Sequence, residues 1–207
     1  MKKIICITGA SSGFGKATAK LFAENGHDLI ITARRKDRID ALAKELSTQF
    51  QVNILSIELD VRNQKAVKNT FEKLPENWKK IDVLINNAGL ASGFDKIQDG
   101  NLDDWEQMFD TNVKGLLYVS KEIIPLMIEQ KKGHIINIGS TAGKEVYQKG
   151  NVYCASKHAV DALTKSMRID LLEHGIKVTQ IAPGAAETEF SEVRFNGDKE
   201  KAKNVYQ

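Results

Sequence analysis

Residues 3–15 constrain this chain more than any other stretch. Lys3 to Thr8 (KIICIT) is a short apolar run of the kind that forms a strand buried on both faces. It passes directly into Thr8-Gly9-Ala10-Ser11-Ser12-Gly13-Phe14-Gly15, and Lys16 to Asn25 then reads as an amphipathic helix ended by Gly26. Strand, glycine loop and helix in that order form the context of a dinucleotide-binding fingerprint. The glycines let the backbone approach a pyrophosphate, and the helix N-terminus offers free N–H groups and the positive end of its dipole. A glycine loop alone is a weak signal and equally a tight turn; its flanks give this one weight.

The same alternation continues. Asp28 to Thr32, Val52 to Leu59, Ile81 to Ile85, Gly133 to Ile138 and Lys177 to Ile181 read as further strands. Helices are expected over 37–50, 63–74 with Asn63 as cap, 151–174 and most of 102–130, where Gly115 and Pro125 are irregularities. Strands alternating with helices predict an α/β fold with a doubly wound parallel sheet of Rossmann type. With 207 residues, 42% of them hydrophobic, a single domain over 1–207 is expected. Right-handed crossovers bring the strand C-termini to one edge, where ligands bind. The glycine loop, Arg34, Asp60 and Asn86 all fall on that edge.

The second strand ends in Ala33-Arg34-Arg35-Lys36. An NAD site carries an acidic residue about 20 residues past the glycines, on the ribose hydroxyls. Counting on from Gly15 lands near Arg35, and after the second strand no acid lies there before Asp37. Arginines there suit a 2′-phosphate, which a guanidinium grips with two parallel hydrogen bonds, so the cofactor expected is NADP. The competing reading is a solvated basic turn.

Tyr153 and Lys157 lie one helical turn apart, on one face. An ammonium about 5 Å from a phenol, at an effective dielectric of about 20, favours the phenolate by roughly 3 kcal/mol, about two pKa units. That would make Tyr153 an acid/base near neutral pH. Taken alone, the pair is equally a surface tyrosine beside a solvated lysine.

Charges are mixed in sign with a net of +3, and no basic stripe marks nucleic-acid binding. Cys6 and Cys154 have neither disulfide-framework nor metal spacing, which suits a reducing compartment. The N-terminus lacks the features of a signal peptide, and no stretch is long enough to span a membrane. A cytoplasmic protein without metal, membrane or nucleic-acid partners is expected.

TGASSGFG at 8–15, NNAG at 86–89, Asn112, Ser140, YCASK at 153–157 and PG at 183–184, in this order and on these elements, resemble the NADP-preferring branch of the short-chain dehydrogenase/reductase family. Within it, GHIINIGSTAG at 133–143, NVY at 151–153 and TEFSEVRFNG at 188–197 are similar to 3-hydroxy acid dehydrogenases that oxidise serine and threonine. The resemblance implies that Tyr153 is the catalytic acid/base, with Lys157 lowering its pKa and binding the nicotinamide ribose. It implies that Ser140 hydrogen-bonds the substrate oxygen and that Asn112 holds a water behind the lysine. It places Thr8, Gly9, Ser11, Gly13, Phe14 and Gly15 on the pyrophosphate side of the cofactor. Arg34 and Arg35 fall at its phosphate, Asp60 and Val61 at adenine, and Asn87, Pro183 and Thr188 along the rest. It also implies that 185–207 is the segment covering the substrate, and that a full-length chain forms a homotetramer. Family members continue with another helix and a seventh strand, so this chain is expected to lack the last helix and strand of the sheet.

A hydroxy acid brings a carboxylate that needs a fixed cation, because an unpaired buried carboxylate is costly. Arg194, flanked by Phe190, Val193 and Phe195, is the candidate, with Lys144 a looser alternative. Two other readings stay open: an NADP-dependent reductase of uncharged diketones or aldehydes, and a non-catalytic NADP-binding protein on the same fold.

Overall fold

The computed structural model describes residues 1–186, 188–194, 197–198 and 200, and of Glu192 and Val193 only the backbone. Six strands form one parallel sheet: β1 (Ile4–Thr8), β2 (Asp28–Ala33), β3 (Ile54–Glu58), β4 (Val83–Asn86), β5 (Gly133–Ile138) and β6 (Ile176–Ile181). Their order is β3-β2-β1-β4-β5-β6, so all strands run parallel and the winding of the chain changes side between β1 and β4. The crossover helices are α1 (Gly13–Glu24), α2 (Lys36–Phe50), α3 (Gln64–Glu72), α4 (Leu102–Phe109), α5 (Leu116–Glu129) and α6 (Asn151–Asp170). A short α7 (Glu189–Arg194) follows. No helix among the described residues is long and apolar enough to cross a membrane.

Alternation along the strands builds two cores. Ile5 and Ile7 of β1, with Leu29 and Ile31 of β2, pack against Ala19, Ala23, Ile39, Leu42 and Leu46 of α1 and α2. Cys6 and Ile30 point to the opposite face, into a cluster with Val67 and Phe71 of α3, Ile123 and Met127 of α5, and Val160 and Met167 of α6. Burying each such aliphatic chain contributes about 1.5–3 kcal/mol. Both cysteines are buried and free, and burial pushes the Cys6 thiol up to about 12, so it is an inert core residue.

The helix expected over 102–130 is broken. After α4 the chain makes a π-helical turn, Asp110–Gly115, before α5 begins. A Cβ at Gly115 would stand 2.6 Å from Cγ2 of Val61, so only glycine lets the turn lie this close to the β3 loop. Pattern reading cannot see this, because one inserted residue shifts the helical register without disturbing the apolar periodicity on either side. α6 also stops four residues short of expectation: Leu171 caps it, and Gly175, at φ +69°, turns the chain into β6.

A buried polar chain ties the sheet to the helices over it. Asn86 and Asn137 are partners across β4 and β5. Asn86 Nδ2 donates to Asn137 Oδ1 and to Ser120 Oγ of α5, both at 2.9 Å, and Asn137 Nδ2 donates to Thr164 Oγ1 of α6 at 3.0 Å. Removing one member strands the others away from water, at about 1–3 kcal/mol for each orphaned group. Asn137→Ala is therefore expected to lower the melting temperature by about 2–4 °C per kcal/mol lost, read by calorimetry. An unchanged melting temperature would show that this network adds nothing.

Candidate active site

The C-terminal edge of the sheet opens into a cavity of about 840 Å³. Its floor is made where β1 and β4 meet. Thr8 Oγ1 accepts from the backbone N–H groups of Asn87 and Ala88, both at 3.0 Å, while Asn87 Nδ2 donates to the carbonyls of Thr8 and Gly9 at 2.8 and 3.1 Å. A Cβ at Gly9 would come 2.8 Å from Cα of Ala88, and one at Gly15 would come 2.4 Å from the Gly9 carbonyl. Gly9 and Gly13 also have positive φ, +68° and +53°. The result is a bare backbone cradle against the start of α1, where the first amides have no helical partners. Such a cradle fits the pyrophosphate of a dinucleotide.

The cavity wall carries most of the residues expected from sequence. Gly9, Ser11, Gly13, Phe14 and Asn87 line it at the glycine loop, and Arg34, Arg35, Asp60 and Val61 line one end. Ser140, Tyr153, Lys157, Pro183 and Arg194 line the other, and Thr188 lies over the glycine loop. Thr8 and Gly15 are buried beneath as supports. Asn112 sits behind: Nδ2 donates to the Leu90 carbonyl at 2.8 Å and to Ser156 Oγ at 3.0 Å, and Oδ1 accepts from Leu90 N–H at 2.8 Å. Its side chain is thus engaged in holding the 90 loop to α6. The Asp60 carboxylate is held by Arg62, with Nη2 at 2.6 Å, and this pairing keeps it well below the usual carboxylate range.

Two chain turns place the reactive groups. Ser140 follows β5 in a loop pinned by Thr141 N–H to the Pro183 carbonyl at 3.0 Å, and its hydroxyl accepts from Ala142 N–H at 3.1 Å. Tyr153 lies in the first turn of α6, with Lys157 one turn on. Lys157 is 6% exposed, and Nζ donates to the Ile138 carbonyl at 2.9 Å and lies 5.9 Å from the Tyr153 ring centroid. A Cβ at Gly89 would crowd Asn112 Oδ1 at 3.1 Å and would lie in ordinary contact, 3.6 Å, with Lys157 Nζ.

The electrostatics run opposite to the expectation from spacing. Burial pushes the Tyr153 phenol up to about 12, with a hydrogen bond from Ser140 pulling the other way. Burial also pushes Lys157 down to about 8. Dehydration of each ionised form outweighs their attraction, because the ammonium is directed at the Ile138 carbonyl. Tyr153 therefore rests as a phenol, ready to donate.

Arg194 stands at the far wall, 7% exposed. Its guanidinium carbon lies 4.7 Å from the Phe94 ring centroid, 5.5 Å from that of Tyr147 and 5.7 Å from that of Tyr153. Nη1 donates to the Tyr147 hydroxyl at 2.9 Å, and Gly93 N–H donates to the Arg194 carbonyl at 3.2 Å. Phe94 and Tyr147 were not evident in the sequence. Both lie in loops without periodicity, and only Gly150, where a Cβ would collide with the Tyr147 ring at 2.4 Å, hints that a ring packs there. Lys144, the alternative cation, is tied to Asp161, away from the cavity. Phe195, Lys199 and 201–207 of the covering segment lie outside the described residues, as does the Val193 side chain.

The Lys157 shift sets a pH dependence. Below about pH 8 folded and unfolded chains both hold the ammonium, and the burial penalty is fully present. Between about 8 and the ordinary 10.5 the folded chain releases the proton first, so the unfolded state binds more protons and stability rises with pH. The melting temperature of the wild type minus that of Lys157→Met should climb across this window, by up to about 3 kcal/mol in stability. A difference flat with pH would mean that the lysine is not dehydrated.

Residues 3–199 match the family model described as short chain dehydrogenase. The NADP-dependent 3-hydroxy acid dehydrogenase of Salmonella typhi is 48% identical over 205 residues, covering 99% of this chain and 81% of that protein. Sulfoacetaldehyde reductase 2 of Chromohalobacter salexigens is 45% identical over 207 residues, covering 100% of this chain and 81% of that one. Among solved structures, the closed form of serine dehydrogenase complexed with NADP+ superposes with a TM-score of 0.94 at 45% identity, covering 99% of this chain and 81% of its own. A glycine cradle between β1 and β4, a serine, tyrosine and lysine gathered at one end of the cavity, and a family match along nearly the whole chain lead to one assignment: the protein belongs to the short-chain dehydrogenase/reductase family.

Proposed function

We propose that this chain is an NADP-dependent dehydrogenase acting on the hydroxyl-bearing carbon of a small 3-hydroxy acid such as serine. The observation that carries the reading is Arg194. It is a buried guanidinium facing the same cavity as Ser140 and Tyr153 and stacked within 5.7 Å of the Tyr153 ring. Such a cation beside a proton-transfer group suits a substrate with a carboxylate close to its hydroxyl, and the planar fork matches two carboxylate oxygens. The close relatives named 3-hydroxy acid dehydrogenase and serine dehydrogenase support it. Arg34 and Arg35 at the end of β2, where an NAD site would carry an acid, support the phosphorylated cofactor.

When bound, the nicotinamide supplies the hydride acceptor or donor, which the protein orients. Ser140 Oγ hydrogen-bonds the substrate oxygen and steadies charge developing there. Tyr153 Oη gives the proton to that oxygen in the reducing direction and takes it in the oxidising one. Lys157, its ammonium held by the Ile138 carbonyl one turn behind the phenol, would bind the nicotinamide ribose. Asn112 fixes the loop at Leu90 that closes this end of the cavity, and Arg194 orients the acid. Two free, buried cysteines suit a reducing compartment, the cytoplasm.

A second reading, reduction of an anionic aldehyde, is favoured by the sulfoacetaldehyde reductase relative, because Arg194 would serve a sulfonate equally. Both readings are tested by following NADPH absorbance with a panel of 3-hydroxy acids, sulfonated and uncharged aldehydes, and uncharged alcohols, with NAD as comparison. Activity confined to uncharged carbonyls would overturn both.

Two outcomes are expected. Tyr153→Phe keeps the ring but removes the transferable proton, so turnover falls by about two to four orders of magnitude while cofactor affinity holds. Near-normal turnover would remove Tyr153 from the chemistry. Arg194→Leu raises KM for the hydroxy acid at least about tenfold, equivalent to about 1.4 kcal/mol, and leaves an uncharged alcohol little affected. Equal loss on both substrates would mean that Arg194 shapes the cover and does not bind the acid.

A further inference from the structure

The guanidinium expected to meet the cofactor's phosphate already holds an anion in this structure, and the anion is part of the chain. Arg35 Nε and Nη2 lie 3.2 and 2.9 Å from Ser11 Oγ, and Nη2 lies 2.9 Å from Ser12 Oγ. Two hydroxyls and a guanidinium beside the glycine loop form a seat for an oxyanion. Its Nη1 donates to Oε2 of Glu189 at 2.9 Å. Nη1 of Arg38 binds the same carboxylate, at 2.8 Å to Oε1 and 3.0 Å to Oε2. Glu189 lines both the main cavity and a second one of about 510 Å³ behind the loop, whereas Arg38 lines only the second. The carboxylate can therefore leave Arg35 without losing its other partner.

Glu189 is also the first residue of α7, and Arg194, against Tyr147 and Tyr153, is the last. The pairing is thus a tie between the phosphate end of the cavity and the segment that covers the substrate end. We propose that Glu189 is a latch that competes with the cofactor's 2′-phosphate for Arg35, so that NADP, unlike NAD, frees the start of the covering segment as it binds. The inference rests on the NADP reading above. A carboxylate carries one negative charge, whereas a phosphate monoester carries about −1.5 to −2 and more acceptor oxygens, so the phosphate wins the seat but must displace the latch. NAD brings no group to this seat and leaves the latch closed. The pair is part-exposed, with side-chain exposures of 38% for Arg35 and 41% for Glu189, so its grip is weak and reversible.

The test is calorimetric titration of NADP and NAD into the wild-type chain, Glu189→Gln, Arg35→Gln and the double variant. Glu189→Gln keeps the side chain's shape and removes its charge. It should tighten NADP about three- to tenfold and shift NAD less than about twofold, in line with a part-exposed pair. In the Arg35→Gln background the same change should do nothing further, since the contested group is gone. Unchanged or weaker NADP binding in Glu189→Gln, or equal tightening of both cofactors, would overturn the latch while leaving NADP preference standing. A wild-type chain that binds NADP no better than NAD would overturn the cofactor reading and the latch together.

Discussion

The clasp between Thr8 and Asn87 is the contact on which the rest depends. It joins the ends of β1 and β4, the two strands between which the winding of the chain changes side. Thr8 donates to Ile85 at 3.4 Å and accepts two amides, and Asn87 returns two bonds to the loop, so backbone groups that the ladder leaves open there are satisfied locally. With these groups paired, the glycine loop can pack directly against the Asn87 turn. Any side chain at Gly9 or Gly15 would push the two turns apart.

Dehydration, more than charge pairing, sets the chemistry of the other end. Tyr153 and Lys157 are each driven toward their neutral forms by burial, in opposite directions from their ordinary values. A buried proton donor with a buried, partly destabilised ammonium beneath it is a site whose protonation responds strongly to whatever charge enters the cavity. Arg194, boxed by Phe94, Tyr147 and Tyr153, places a positive charge beside the phenol.

Residues 188–194 connect these two ends. Thr188 lies over the glycine loop, with its Cβ 3.7 Å from where a Gly13 side chain would begin, and its hydroxyl accepts from Phe190 N–H at 3.2 Å to start α7. Phe190 then packs edge-on against Tyr153, with ring centroids 5.7 Å apart. One turn and a half of helix, with Thr188 before it, thus reaches Arg35, the glycine loop and Tyr153.

The sequence by itself determined the α/β class, the parallel sheet, the edge on which ligands bind, and most of the cavity's chemistry. These follow from local causes: apolar runs of strand length, helical periodicity, a capping asparagine at 63, and a glycine loop whose flanks leave it one role. Asn63 accepts from Ala66 N–H at 3.0 Å, as its position before α3 implied. Only the tertiary structure decided the π-turn at Asp110–Gly115, because its cause is the contact between Gly115 and Val61, distant in sequence. Only it reversed the expected direction at Tyr153, since spacing gives the distance between two charges but not how much water surrounds them. It alone brought Glu189 to Arg35 and Tyr147 to Arg194. Pairs of side chains from far-apart loops meet through the packing of everything between them, and no local pattern records that.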